Sequence, residues 1–136
     1  MGQQQLMLII LGVIVLGIAV AVGITMFTDS AISSNRDAVT NDLGHLATRA
    51  QAHFRRSASM GGGEGAFDNS RGGTGLTSIT QLTSRPSNTN GRYEIISTTL
   101  GAINLRGVGQ ELVNSIDSVE VTMRVTADSA VTAVVH

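Results

Sequence analysis

The chain has no cysteine, no tryptophan and a single proline among its 136 residues. Without cysteine there is no disulfide frame, no thiolate site and no haem-attachment motif. The compartment stays open, because a secreted protein can do without disulfides. Lysine is absent too, so all nine basic residues are arginine. They nearly balance the ten acidic residues, and a net charge of −1 gives no electrostatic footprint for nucleic acid or an acidic membrane surface. Aromatics are limited to Phe27, Phe54, Phe67 and Tyr93, which leaves no evident continuous stack for carrying electrons. A globular part drawn from this composition has a small, thin core and leans on something else for stability.

Reactive chemistry is equally scarce. His45 and His53 stand eight apart, which is not a metal-ligand spacing on a helix, and no cysteine or carboxylate cluster joins them or His136. Surface or interface histidines are the simpler reading. The stretches "GGGEG" and "RGGTG" have neither the lysine nor the preceding strand of a phosphate loop, and read as flexible or subunit-packing loops. Arg55 and Arg56 read as a solvated helix end. No asparagine lies in an N-x-Ser/Thr sequon. With no convergent set of polar residues, the expectation is a protein that is not an enzyme and holds no cofactor or metal.

What the chain does have is grease at one end. From Leu6 to Phe27 no side chain is charged, and only Gly12, Gly17, Gly23 and Thr25 dilute the aliphatic run. As a helix it spans roughly 33 Å, close to the hydrocarbon thickness of a bilayer, and a single helix satisfies its own backbone there. A cleaved secretory signal fits poorly, since no Lys or Arg precedes the run and no A-x-A-like site closes it. A plain single-pass anchor and a helix that leaves lipid to join a protein bundle both remain. Gly17 with Ala21, and Ala19 with Gly23, are spaced four apart, the small-xxx-small arrangement that lets backbones approach. That favours the bundle.

The helical pattern continues beyond the apolar run. Ile32, Val39, Leu43, Leu46, Ala50 and Phe54 recur at spacings of three, four and seven and form one apolar stripe. No proline interrupts residues 1–60, and Gly61, Gly62 and Gly63 mark a stop. The pattern predicts one long helix from near the N-terminus to about residue 59, apolar all round in its first half and amphipathic in its second.

Residues 61–91 read as loop, with a Gly-rich stretch over 61–75. Ser78 and Gln81 have the spacing of a capping box, which predicts one short helix near 78–84 packing Ile79 and Leu82. The last third reads as strands. Val119, Val121, Met123 and Val125 alternate with Glu120, Thr122, Arg124 and Thr126, and after a turn at 127–129 the alternation resumes with Val131, Ala133 and Val135. A second hairpin pairs 93–99 with 102–106. The fold expected is α+β, a long helix over residues 1–60 laid on a small antiparallel sheet of about four strands within a β-rich region, 61–136. Its helix-to-sheet core would comprise Ile32, Val39, Leu43, Leu46, Ala50, Phe54, Val119, Val121, Met123, Val125, Val131 and Val135.

This layout resembles the type IV pilins and the pseudopilins of type II secretion. The likeness covers the whole architecture, and the detailed match is confined to residues 1 to about 27. It implies a structural subunit that waits in the inner membrane and then polymerises with itself into a helical filament at the cell surface. Leu6, Ile9, Gly12, Val13, Leu16, Gly17, Ala19, Ala21, Gly23 and Phe27 would form the filament core. The resemblance also implies a prepilin peptidase and a pilus assembly machinery as partners, and a methylated first residue. Met1 fits either that residue or an initiator. Met1 and Gln5 would set the register between subunits. Three departures stand out. Gln5 replaces the family's glutamate, and it accepts a hydrogen bond but does not neutralise an ammonium. The mid-helix proline common in the family is absent, as is the C-terminal disulfide. The alternative reading is a pseudopilin or membrane-anchored component of a secretion apparatus.

Overall fold

The computed structural model describes residues 2–136, so the register role expected of Met1 lies outside the described residues. One unbroken helix, α1 (Gly2–Arg55), is followed by four strands, β1 (Gly91–Thr98), β2 (Ala102–Leu112), β3 (Ser118–Thr126) and β4 (Ala130–Val134). The sheet is an antiparallel meander in the order β1-β2-β3-β4. The fold is α+β, as the periodicities predict.

At 1.5 Å per residue α1 is about 81 Å long. It divides sharply. Up to Ser30 its residues are exposed apart from a half-covered Gly23, and from Ile32 onward its apolar stripe lies on the sheet. Val39, Leu43 and Ala50 are fully buried against Ile103, Leu105, Val119, Val121 and Val125, with Leu46, Met123 and Ile32 close behind. The helix stops at Arg55, four residues short of the expected end. Its last carbonyls are taken by the glycine loop folding back: Gly63 donates to His53 O at 2.9 Å, Gly65 to Phe54 O at 2.8 Å and Glu64 to Arg56 O at 3.0 Å. With those acceptors satisfied by the loop, nothing drives another α-turn, and only a 3-10 turn over Ala58–Met60 follows.

That loop is a packed piece of the core, not the flexible segment expected of its composition. It carries Phe67 and Leu76 to full burial, and Phe67 stacks on half-buried Phe54 at 4.7 Å between ring centroids. Backbone lies on backbone here: a methyl at Gly73 would stand 2.6 Å from Gly62 O. The short helix expected at 78–84 is a single 3-10 turn, Ile79–Gln81. Its capping box is present, with Gln81 Oε1 accepting the Ser78 N–H at 2.9 Å. Gln81 also accepts the Thr77 N–H and donates to Gly75 O. These bonds fasten the turn to the loop, and Leu82 then dives into the core.

β2 runs on to Leu112, well past the expected end at 106, through Gly107 and Gly109. Glycine reads as a strand breaker in sequence, yet here it marks where α1 crosses. A methyl at Gly107 would sit 2.6 Å from Val39 Cγ1, and one at Gly109 would collide with Asn35 Oδ1.

The last hairpin forms where expected, but its register sends Val131 and Val135 to the wrong side. Val131 pairs with Arg124 and Ala133 with Thr122, so this row lies on the outer face; a one-residue difference in register exchanges the two faces of a strand. Val131 is 64% exposed and Val135 47% exposed, and neither belongs to the core. The opposite row, Ala130, Thr132 and Val134, is exposed too, because α1 covers chiefly β2 and β3.

Candidate functional site

The most conspicuous surface is the free half of α1. Leu6, Ile9, Gly12, Val13, Leu16, Gly17, Ala19, Ala21, Gly23 and Phe27 all lie on it, and none makes a tertiary contact with the head; Phe27 is 81% exposed. Gln5 is on the same exposed helix. A methyl added at Gly12, Gly17 or Gly23 would meet nothing within 4 Å, so within one chain these glycines have no packing role.

Helical geometry sorts the small residues into two groups. At about 100° per residue, Gly12, Ala19 and Gly23 share one face, while Gly17 and Ala21 share another roughly 160° around. A rod with two such faces can approach two different neighbours. The polar atoms on it are already satisfied: Thr25 Oγ1 donates to Val22 O at 2.8 Å and Thr28 Oγ1 to Ile24 O at 3.0 Å. Both hydroxyls can therefore enter an apolar environment at little cost. Among the described residues α1 is the one helix long and apolar enough to cross a membrane.

A second region lies on the head, where α1 meets the chain entering β1. Asp42 Oδ2 accepts three hydrogen bonds, from Asn88 Nδ2 and Asn90 Nδ2, each at 2.9 Å, and from Tyr93 Oη at 2.5 Å. Burial opposes ionisation of Asp42, but the bonds from Tyr93, Asn90 and Asn88 and the field of His45 outweigh it and hold the carboxyl below its usual range. Burial, followed by the bond to Asp42, pushes the Tyr93 hydroxyl well above its ordinary value. Asn35 adds a further strap, donating to Asn90 O at 2.8 Å. The cluster fastens the segment before β1 to the helix.

Beside it runs an open groove of about 510 Å³, lined by Asp42, His45, Arg49, Thr83, Arg85 and Asn88 among others. Arg49 Nη1 donates to Leu82 O at 2.8 Å. The one carboxylate of the groove is engaged by three donors. Asp42 lies outside the apolar stripe of the helix; the Asn-Thr-Asn-Gly turn that meets it is 46 to 48 residues away, and no local signal joins the two.

The outer face of the sheet carries an ion-paired row across three strands. Arg106 bonds Glu120 through Nε and Nη2 and Glu94 through Nη1, all at 2.9 Å, and Glu120 foremost raises the guanidinium's affinity for its proton. His53, considered above as a surface histidine, lies with Nε2 at 2.5 Å from Thr74 O, another tie between the helix end and the glycine loop.

Compared with known protein families, curated proteins and solved structures, the chain finds no match in any of the three.

Proposed function

We propose that this chain is a non-catalytic structural subunit of a type IV pilus-like filament. The inner membrane holds the free half of α1 before assembly, and copies of the same helix surround it afterwards at the cell surface. The observation that carries this reading is the unpartnered apolar rod with two small-residue faces. One such face suits a dimer; two, pointing to different neighbours, suit contacts that do not close on themselves and so propagate into a helical polymer.

The energetics follow from the environment of the rod. Moving it from lipid into a helix bundle yields little hydrophobic energy, because lipid is as apolar as leucine. Close packing at Gly12, Gly17, Ala19, Ala21 and Gly23 and contacts between heads must drive that step. Once the assembly stands in water the balance changes. Each exposed aliphatic side chain is then worth roughly 1.5 to 3 kcal/mol of burial, and the filament is held firmly. Gln5 supplies a hydrogen bond, not a charge, at the subunit register, so this register depends on shape and packing.

Electron microscopy of the full chain after detergent removal tests the reading. Thin helical filaments with the rods at the centre are the expected result. Monomers or closed dimers only, under conditions that preserve assemblies, would overturn it. Long filaments dominating sheared surface material distinguish a major subunit from a component of a secretion apparatus.

A further inference from the structure

The β2–β3 turn, residues 113–117, holds the most exposed large apolar side chain of the molecule among the described residues: Ile116 is 87% exposed. A lone exposed isoleucine is ordinarily unremarkable. This one is held out rigidly, and it is held at a particular height.

The rigidity comes from Asn114. Its Oδ1 accepts the N–H groups of Ile116 and Asp117 at 2.9 and 2.8 Å, and its Nδ2 donates to Asp117 Oδ2 at 2.9 Å. The Val113 N–H closes the turn on Asp117 O at 2.7 Å. So pinned, the turn cannot fold Ile116 back onto the head. Leu112, just before the turn, is also exposed.

The height follows from the crossing of helix and sheet. Gly107 lies against Val39, Gly109 against Asn35, and the Glu111 N–H donates to Asn35 Oδ1 at 3.3 Å. At the other end of the sheet Gln51 Nε2 reaches Thr126 O at 3.0 Å. The β2–β3 turn therefore points back along α1 towards its apolar half. The turn lies beyond Glu111 in that direction, so Ile116 stands closer than Asn35 to the apolar half of α1 that ends at Phe27.

We propose that the β2–β3 turn dips Ile116 into the lipid interface beside the point where α1 emerges, giving the unassembled subunit a second membrane contact. The contact rests on the reading of residues 6–27 as membrane-seated. It fixes the head's tilt and rotation over the bilayer, which a single helix leaves free. Glu111 and Asp117 flank the tip, so the insertion is apolar in origin and suits zwitterionic lipid.

The absence of tryptophan makes the test clean, because a single introduced indole reports alone. The full chain carrying Phe27→Trp, Ile116→Trp or, at the far end of α1, Met60→Trp is reconstituted into phosphatidylcholine vesicles. Quenching by lipids brominated near the headgroup is then measured. All three positions are exposed, so none of the variants disturbs the core. Strong quenching at 27 and 116, with little at 60, is the expected result. Quenching at 27 with position 116 as silent as 60 overturns the turn contact and leaves the membrane reading intact. No quenching at 27 overturns the membrane reading itself. A blue shift at 116 that needs no lipid and grows with protein concentration assigns the tip to a second copy, and overturns the lipid contact.

Discussion

Asp42 is the residue on which the attachment of β1's leading segment turns. It is a partly buried carboxylate with three donors on one oxygen. Replacing it with alanine strands the Tyr93 hydroxyl and both amides, a loss of about 2 to 4 kcal/mol for charged hydrogen bonds of this kind. Because the folded carboxyl titrates below its unfolded value, its contribution is complete above the unfolded pKa and fades as pH falls through the folded one. Thermal melts of the full chain in detergent should therefore show stability dropping below about pH 4. Asp42→Asn should flatten part of that drop. An acid limb identical in the two proteins would refute the assignment.

Gly107 belongs to the same scale. A methyl there would press on Val39 at the tightest point of the helix–sheet crossing. Gly107→Ala should cost about 1 to 3 kcal/mol through overpacking, and Val39→Ala in the same chain should recover part of it, since the two changes exchange volume at one contact. Chemical denaturation of the single and double variants measures both terms. Additive losses would show that the two sites do not share a contact.

At the scale of elements, the strands divide by whether α1 covers them. β2 and β3 lie under the helix, and Leu105 and Val121 are fully buried; β4 touches it only at the margin and is exposed. Leu105→Ala should cost about 2 to 5 kcal/mol. Val131→Ser should stay within about 0.5 kcal/mol. Equal losses in denaturant melts would mean that β4 is packed against something beyond the single chain, and a filament contact on the outer face would then be its natural partner. The Arg106 row across β1, β2 and β3 is half exposed, and ion pairs of that kind contribute at most about 1 kcal/mol. It serves to align the strands more than to stabilise the head.

At the scale of the whole molecule, one helix serves two environments. Its second half is buried by its own chain and its first half by nothing. Gly17→Leu and Gly23→Leu should leave the melting of the head unchanged, because an added methyl meets nothing within 4 Å at either position. In the proposed filament they block close approach of neighbouring rods. Loss of filaments in micrographs, with unaltered melting, is the expected pair of results; normal filaments would remove the small-residue faces from the assembly.

Much of this was legible in the linear chain because the relevant signals are periodic. The apolar run, the stripe from Ile32 to Phe54 and the alternation from Val119 to Val125 each repeat a local spacing that only one secondary structure satisfies. The unmatched apolar length from Leu6 to Phe27 likewise declared that the chain could not bury all its own grease. The remaining features depend on partners distant in sequence. Phe67 and Leu76 lie in a glycine- and serine-rich segment with no period, and only its folding onto the helix end carries them inward. Gly107 and Gly109 read as breaks until α1 crosses them. Val131 and Val135 keep a strand's alternation, but alternation identifies two faces without saying which is covered. Sequence thus set the elements and the surplus hydrophobic surface, through spacings within one segment. Tertiary structure alone decided which face met the helix, which loop filled the core and how far the sheet reached, because each of those is fixed by contacts between segments that the local pattern does not contain.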